Sequence, residues 1–258
     1  MKGGIYVKDQ LTLSNINLFA ILRNLEDLCD LDKECKDLIK GKNLAIQFVV
    51  KNGPKALMTF KDGKCTVTEG EGKANMKLFF KSPQHLNEMV DGKANPIPLK
   101  GFSHISFLKN EFTKITDKLA FYLKPTEELL KGEEYFKINT ILTFYAAFMA
   151  LEQIGNFDEV GRLNAKRMPD GIMSIEVLQG GPAVNLKVSK GHLKVTKGAA
   201  TAPRALMRFD TLKTANDLLN GKVDSYSCIA VEKVTINGFI PLIDNFNKLL
   251  SQVSGYLK

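Results

Sequence analysis

The chain repeats itself, and this internal repeat limits the possible folds more than any other feature of the sequence. KNGPKALMTFKDGK (51–64) corresponds to QGGPAVNLKVSKGH (179–192) at an offset of 128 residues. NEMVDGK matches NDLLNGK at an offset of 129, and Leu25-Glu26 matches Leu151-Glu152 at an offset of 126. Three matches in the same order predict two copies of one unit within the 258 residues.

The boundary between the copies is predicted beside Lys124-Pro125. A proline disfavours helix at the residue before it, and Phe121-Tyr122-Leu123 ends the first copy much as Tyr256-Leu257 ends the second. We therefore divide the chain into residues 1–127 and 128–258. Because 44% of all residues are hydrophobic, each part can bury a core of its own.

The sequence of each copy predicts the same order of helices and strands. Apolar residues recur at helical spacing over residues 18–28 and 144–154. Alternating apolar residues then predict strands on either side of an Asp62-Gly63 turn and of its counterpart Lys190-Gly191. A short helix, which has its N-cap at Ser82 in the first copy, and a longer apolar helix complete the unit. The predicted fold class is α+β, a mainly antiparallel twisted sheet that helices cover on one face.

Residues from about Ile46 to Leu123 resemble the sterol carrier protein type-two domain, a small α/β module that binds lipids. The likeness lies in GPKALMTFKDGKCTVTEGEG, in the strand MKLFF, in the helix that starts at Ser82-Pro83, and in MVDGKANPIPLKG. Residues from about Ile172 to Leu257 resemble the family more weakly, through GGPAVNLKVSKGHLKVTKG and LLNGK. The resemblance implies two tandem sterol-carrier-like domains, with a ligand cavity between the sheet and the closing helix in one or both of them.

The sequence departs from the family pattern where a further strand is expected. Copy one has only Pro98-Leu99-Lys100-Gly101 before a bulky Phe-Ser-His-Ile-Ser-Phe stretch, and copy two has no counterpart of Pro96 and Pro98. Proline cannot donate to a sheet ladder, so we expect the strand of copy one at the edge of its sheet. These departures leave the mouth and the lining of any cavity open.

No set of residues in the sequence predicts a catalytic site. Gly70-Glu71-Gly72 is not followed by the third glycine of a dinucleotide-binding loop, and Gly101-Phe102-Ser103-His104-Ile105 lacks the last glycine of a nucleophile elbow. The three histidines lie in unlike contexts, and the four cysteines do not have the spacing of a zinc site. We therefore expect no enzymatic activity, no cofactor and no metal.

The residues that carry the functional prediction are apolar. Sixteen phenylalanines, eight methionines and no tryptophan give an adaptable interior, which is either plain core packing or, in part, the lining of a ligand cavity. The candidate ligand-binding residues are Phe48, Met58, Phe60, Leu78, Phe80, Phe102, Phe107, Phe112, Leu186, Met207, Phe209, Ile236, Phe239 and Phe246. Lys100, His104 and Lys109 are candidates for contact with a polar head of the ligand.

The predicted function is that of a carrier that holds a fatty acid, a fatty acyl-CoA or a related apolar ligand. The alternative is a non-catalytic structural or dimerisation module with filled cores. The sequence leaves open whether the chain forms a homodimer. The net charge of +8 is evenly shared, since residues 1–128 hold 20 Lys and Arg against 16 Asp and Glu. This charge either keeps the surface soluble or attracts the chain to an anionic membrane surface. No basic cluster with interleaved aromatic residues favours nucleic acid.

The sequence predicts a cytoplasmic protein. MKGGIYVKDQ at the amino terminus lacks the apolar segment of a signal peptide. The longest apolar stretch, residues 138–149, is interrupted by Asn139, Thr140 and Thr143, which makes it too short and too polar to span a bilayer. A few cysteines without a pattern favour a reducing compartment.

Overall fold

The computed structural model describes residues 8–257, apart from the side chains of residues 225 and 226, so most of the segment MKGGIYVKDQ lies outside the described residues. Within them the chain forms two compact units. The N-terminal unit comprises residues 9–138, and the C-terminal unit comprises residues 139–257 together with Lys8.

The N-terminal unit combines helices with a five-stranded sheet. Its helices are α1 (Gln10–Ile16), α2 (Leu25–Leu31), α3 (Lys33–Ile39), α4 (Pro83–Val90), α5 (Ile105–Phe107) and α6 (Thr113–Leu123). Its strands are β1 (Leu44–Val50), β2 (Lys55–Lys61), β3 (Lys64–Glu69), β4 (Met76–Phe80) and β5 (Ile97–Lys100). A π turn (Asn17–Ile21) and a 3₁₀ turn (Leu22–Asn24) lie between α1 and α2, and a second π turn (Leu108–Phe112) lies between α5 and α6. The strand order is β3-β2-β1-β4-β5, and only the β1–β4 pair is parallel among these neighbours.

The C-terminal unit has the same strand order. Its elements are α7 (Glu133–Phe157), α8 (Glu159–Arg167), β6 (Gly171–Val177), β7 (Ala183–Ser189), β8 (His192–Lys197), β9 (Ala205–Phe209), α9 (Leu212–Leu219), α10 (Ser225–Ala230), β10 (Val234–Gly238) and α11 (Ile240–Leu257). The sheet runs β8-β7-β6-β9-β10, with β6 and β9 parallel and the other neighbours antiparallel. The predicted α+β class and the mainly antiparallel sheets are confirmed. The predicted boundary at residues 127 and 128 falls between α6 and α7 and stays a prediction, because α7 itself is divided between the units.

Both predicted hairpin turns have left-handed backbone. Asp62 and Gly63 have φ of 53° and 72°, and Lys190 and Gly191 have φ of 49° and 74°. Two consecutive positive φ angles match the twist of the flanking strands, which explains why Asp-Gly predicts a hairpin at the β2–β3 connection.

The cap predicted at Ser82 is present, and the short helix of the C-terminal unit has a matching cap. Ser82 Oγ accepts a hydrogen bond from the backbone N–H of His85, three residues on, and Pro83 is the first residue of α4. Thr211 Oγ1 caps α9 in the same way. Gly92 follows the end of α4 with φ of 73°, a conformation in which glycine avoids the steric cost of a side chain.

A matched asparagine holds each short helix to the first helical segment of its unit, which is α1 with its π turn or α7. Asn17 Nδ2 donates to Asn87 Oδ1 at 3.0 Å in the N-terminal unit. Asn216 Nδ2 donates to Asn139 Oδ1 at 2.7 Å and to Thr140 Oγ1 at 2.8 Å in the C-terminal unit. Asn87 and Asn216 open the matching segments NEMVDGK and NDLLNGK, so this part of the sequence repeat has the same packing role in both units.

Candidate functional site

Five predicted ligand-binding residues form a continuous apolar surface on the inner face of the N-terminal sheet, the face that helices cover. They are Phe48, Met58, Phe60, Leu78 and Phe80, and each is at most 2% exposed. Phe48 is the register partner of Leu78, and paired residues point to the same face. The rings of Phe48 and Phe80 stack with centroids 6.3 Å apart. The period of two in the sequence therefore corresponds to one shared face of the sheet for these five residues.

The closing segment adds two further rings to this surface. Phe107 lies 5.3 Å and Phe112 lies 6.4 Å from the ring centre of Phe60, both in edge-to-face geometry. Phe107 is buried, whereas Phe112, on the π turn, is partly exposed. The three rings form an aromatic cluster that reaches solvent at Phe112.

A lysine that the sequence did not suggest lies beside this cluster. Lys42, in the loop between α3 and β1, has its Nζ 5.5 Å from the ring centre of Phe107 and 2.6 Å from Glu111 Oε1. The hydrogen bond from Lys42 holds the pKa of the Glu111 carboxyl below its ordinary value. Lys42 is 69 residues away from Glu111 in the chain, so neither periodicity nor motif spacing could have linked the two.

Phe102 lies outside the core, contrary to the expectation that it lines a cavity. It is 64% exposed, on a 3₁₀ turn that also contains His104. The turn follows Gly101, whose φ is 83° and where a Cβ would lie 2.6 Å from the backbone oxygen of Asn75. This left-handed position turns the chain away from the sheet and directs Phe102 to solvent.

The candidate head-group lysines are exposed and separate. Lys100, at the end of β5, donates from Nζ to the backbone oxygen of Ala74 at 2.8 Å. Lys109 shares the π turn with Phe112 but is exposed. As the prolines predict, β5 is an edge strand.

In the C-terminal unit, predicted residues lie on the inner face of the sheet or against it. Leu186, Met207, Phe209 and Phe246 are at most 2% exposed, and Ile236 is partly exposed on the edge strand β10 as the register partner of Met207. The rings of Phe144 and Phe148 on α7 connect the sheet to the closing helix. Their centroid distances are 6.4 Å from Phe209 to Phe144, 4.7 Å from Phe144 to Phe148, and 6.3 Å from Phe148 to Phe246.

Phe239 is a second predicted residue that lies outside the core. Its side chain is 37% exposed, and the guanidinium carbon of Arg204 lies 4.3 Å from its ring centre. Phe239 directly follows Gly238, whose φ is 111°. The turn between the last strand and the closing helix therefore exposes a phenylalanine in both units.

The two units close differently over their sheets. Phe112 and Phe246 each lie ten residues before a buried tyrosine, Tyr122 or Tyr256, so they occupy matching positions. In the C-terminal unit this position belongs to the unbroken helix α11, and Phe246 is fully buried. In the N-terminal unit the segment is divided into α5, a π turn and α6, and Phe112 is partly exposed. π turns often occur at functional sites.

One matched position also has a large side chain in the C-terminal unit and a smaller one in the N-terminal unit. Phe148 lies four residues before Glu152, where the N-terminal unit has Leu22 before Glu26. The N-terminal unit thus has a leucine at the position from which the Phe148 ring contacts Phe246 in the C-terminal unit.

Other features of the described residues point to no alternative site. None of their His, Cys, Asp and Glu side chains form a group that could hold a metal ion, and none of their helices is long and apolar enough to cross a membrane. All four cysteines are buried thiols, and burial raises the pKa of Cys35. A solvent-open hollow beside α3, lined by Lys33, Glu34, Asp37 and Leu38, lies among exposed charges rather than on the inner face of the sheet.

Solved structures of sterol carrier proteins are similar to part of the chain. The sterol carrier protein domain 2 of Helicoverpa armigera is 20% identical, with a TM-score of 0.36 over 44% of this chain and 89% of that one. Sterol carrier protein 2 from Yarrowia lipolytica in its apo form is 15% identical, with a TM-score of 0.31 over 44% and 88%. The palmitated SCP2L2 protein of Aedes aegypti is 16% identical, with a TM-score of 0.31 over 42% and 90%. No protein-family model and no curated protein sequence matches the chain.

Proposed function

We propose that the protein is a carrier of sterol-carrier type whose N-terminal unit binds an acyl chain between its sheet and its closing segment. The observation that carries this proposal is the contrast at one matched position. Phe112 is partly exposed on an interrupted segment, whereas Phe246 is buried in an unbroken helix. The C-terminal unit is then a second domain of the same type, with a filled core.

The energetics favour binding even though the rings of the aromatic cluster are in contact without a ligand. A chain of about twelve carbons gains roughly 10 kcal/mol from burial, at about 0.8 kcal/mol for each CH₂. Displacing the partly exposed Phe112 ring costs at most about 2–3 kcal/mol of lost burial. The remainder, roughly 7 kcal/mol, is available to offset the freedom that the ligand and the closing segment lose on binding.

Lys42 is the cation best placed to meet an acidic head. Its Nζ already holds the Glu111 carboxylate beside the buried Phe107, and Glu111 directly precedes Phe112, where the aromatic cluster reaches solvent. A fatty-acid carboxylate would take the place of Glu111 as the partner of Lys42. The ligand class of the proposal is therefore a fatty acid or a related acyl compound.

A structural module with filled cores is the second candidate. It is favoured by the continuous ring contacts from Phe209 through Phe144 and Phe148 to Phe246. Interiors packed in this way leave little room for a ligand. On this reading neither unit holds a ligand, and a homodimer is one arrangement that such a module would serve.

We further propose that the protein is located in the cytoplasm and that it has no catalytic activity. Four buried cysteines that form no disulfide with one another suit a reducing compartment. The apolar residues of the candidate site contain no nucleophile paired with a base, which is the arrangement that nucleophilic catalysis needs.

Matched overpacking tests which unit binds the ligand. Met58 and Leu186 lie at the same position of the two sheets, since Met58 pairs with Ile46 and Val67 as Leu186 pairs with Met173 and Val195. In the delipidated chain, we expect Met58→Phe to weaken binding of a fluorescent fatty acid at least about tenfold, which is about 1.4 kcal/mol. Leu186→Phe should leave the affinity unchanged, although both variants lose about 1–3 kcal/mol of stability.

A second comparison tests the role of Lys42. Lys42→Ala should weaken binding of lauric acid and leave binding of the uncharged dodecanol nearly unchanged.

Two outcomes would contradict the proposal. Equal losses of affinity for Met58→Phe and Leu186→Phe would assign binding to both units or to neither site. If wild-type protein shows no saturable binding of either ligand, the filled-core module replaces the carrier.

A further inference from the structure

The outer face of the N-terminal sheet, which points away from the aromatic cluster, carries a row of apolar side chains. Val49 on β1, Phe79 on β4 and Ile97 on β5 are neighbours in the strand register. All three are partly exposed. We refer to Val49, Phe79 and Ile97 as the outer row.

The same row of the C-terminal sheet is polar. Its register partners are Glu176, Arg208 and Thr235, and Arg208 Nε lies 3.1 Å from Glu176 Oε2. Sheet geometry therefore does not demand apolar residues at these positions. The apolar character of the outer row in the N-terminal unit therefore needs an explanation other than sheet geometry.

Lysines surround the outer row. They are Lys51, Lys55, Lys77, Lys81 and Lys100. Lys77 and Lys100 are direct partners across β4 and β5, and like charges opposite each other are unfavourable without an anion. Glu71 offsets part of this charge, since it pairs with Lys55 and lies 3.7 Å from Lys77. At the corresponding positions the C-terminal unit has Leu178, Ala183, Leu206, Asp210 and Asn237.

Two exposed apolar side chains extend the outer row at its edge. Leu99 is 52% exposed in the irregular part of β5, between Pro98 and Lys100. Phe102 is 64% exposed on the turn that follows Gly101. The edge of the sheet thus presents Leu99 and Phe102 on either side of Lys100 in the sequence.

We propose that this lysine-rimmed outer face docks on the surface of an anionic phospholipid bilayer. The lysines complement the negative headgroups, and the exposed side chains of Leu99 and Phe102 enter the interfacial region. A second copy of the chain is a poor occupant, because its lysines would meet the lysines of the first. The proposal goes beyond ligand binding and does not depend on it, since docking requires only the outer face and its edge.

Vesicle co-sedimentation of the full chain tests the proposal. The probes are vesicles of phosphatidylcholine alone and vesicles that contain phosphatidylserine as a minor component. Lys77→Glu with Lys100→Glu reverses the paired charges, and Phe102→Ser removes the exposed ring without a change of charge. Lys187→Glu with Lys222→Glu, at exposed positions of the C-terminal unit, is the control with the same change in net charge.

Wild-type protein should partition at least about tenfold more strongly onto the anionic vesicles, and added salt should weaken this binding. The Lys77/Lys100 variant should lose at least about tenfold in partition and Phe102→Ser several-fold, while the control changes less than about twofold. Equal binding to both vesicle types, or an equal loss in the control, overturns the proposal. Absence of vesicle binding together with retention of a polyglutamate or an oligonucleotide overturns it in favour of a different polyanion.

Discussion

The hydroxyl of Tyr122 donates a 2.9 Å hydrogen bond to Oδ2 of Asp32, and both side chains are buried. In the C-terminal unit, Tyr256 donates to Oδ2 of Asp158 at 2.7 Å. The other carboxylate oxygen of each aspartate caps a helix by accepting a hydrogen bond from the backbone N–H three residues on. Each pair therefore joins the closing helix of its unit to the cap of α3 or α8.

Loss of the tyrosine hydroxyl should destabilise either unit to a similar extent. Tyr122→Phe keeps the ring but removes the hydroxyl donor from a buried carboxylate oxygen, which then has only the Lys118 ammonium 3.7 Å away, so we expect a loss of about 1–3 kcal/mol. Tyr256→Phe should cost about as much, because its hydrogen bond is equally buried. Urea denaturation measures both losses, and a double-mutant cycle with Asp32→Asn isolates the coupling. A loss as small as about 0.5 kcal/mol, typical of surface substitutions, would contradict this role.

The stability that Asp32 contributes should be lost in acid. Burial raises its pKa, but the backbone N–H of Cys35, the hydroxyl of Tyr122 and the charge of Lys118 outweigh burial, so the pKa lies below the ordinary value. A lowered pKa means that the folded state favours the carboxylate. Its contribution is complete above the unfolded pKa of about 3.9 and declines as the pH falls through the folded value.

Asp32→Asn provides the reference for this measurement. We expect wild-type protein to exceed Asp32→Asn in unfolding free energy at pH 7, and the difference to shrink as the pH falls below about 4. Urea titrations of both proteins across this range give the difference directly. A difference that stays constant, or grows, with falling pH would rule out an ionised Asp32 in the folded state.

Local features of the fold could be predicted from the sequence because their causes are local. The Asp62-Gly63 turn depends on two residues that tolerate positive φ, and the cap at Ser82 depends on one hydroxyl before a proline. Buried residues such as Met58 and Phe60 follow from the period of two within a single strand.

Features that depend on distant parts of the chain could not be predicted in the same way. Nothing near β1 in the sequence indicates its parallel pairing with β4. Lys42 reaches Glu111 only once the sheet and the closing segment have assembled. Phe102 has the composition of a core residue, and its exposure follows from the left-handed backbone of Gly101 rather than from hydrophobicity.

In each unit a matched glutamate accepts a hydrogen bond from the backbone of an edge strand. We expect the two glutamates to contribute differently to stability. Glu152 Oε2 accepts from the backbone N–H of Val195 at 2.6 Å, and Glu26 Oε1 accepts from that of Val67 at 2.7 Å. Glu152 is 5% exposed, whereas Glu26 is partly exposed. Because water can replace a lost partner more easily at the exposed site, Glu152→Ala should cost about 1–3 kcal/mol and Glu26→Ala less.

Amide hydrogen exchange provides the local readout for this prediction. Glu152→Ala should accelerate exchange at the Val195 amide, because β8 is an edge strand and no neighbouring strand replaces the lost acceptor. Glu152→Gln, which keeps an acceptor oxygen, should restore part of the protection. Unchanged exchange at Val195 in Glu152→Ala would show that the carboxylate does not protect this edge.

The glycine between the last strand and the closing segment should tolerate substitution worse than a glycine in an open turn. Gly101 and Gly63 have similar φ angles, 83° and 72°, but a Cβ at Gly63 meets no atom within 4 Å. Gly63→Ala should therefore cost only the left-handed backbone term of about 1–2 kcal/mol. A Cβ at Gly101 would lie 2.6 Å from the backbone oxygen of Asn75 and 2.8 Å from Cα of Met76, so Gly101→Ala should cost more because backbone must move. Urea denaturation compares the two variants, and equal losses would mean that the turn after β5 can shift without disturbing β4.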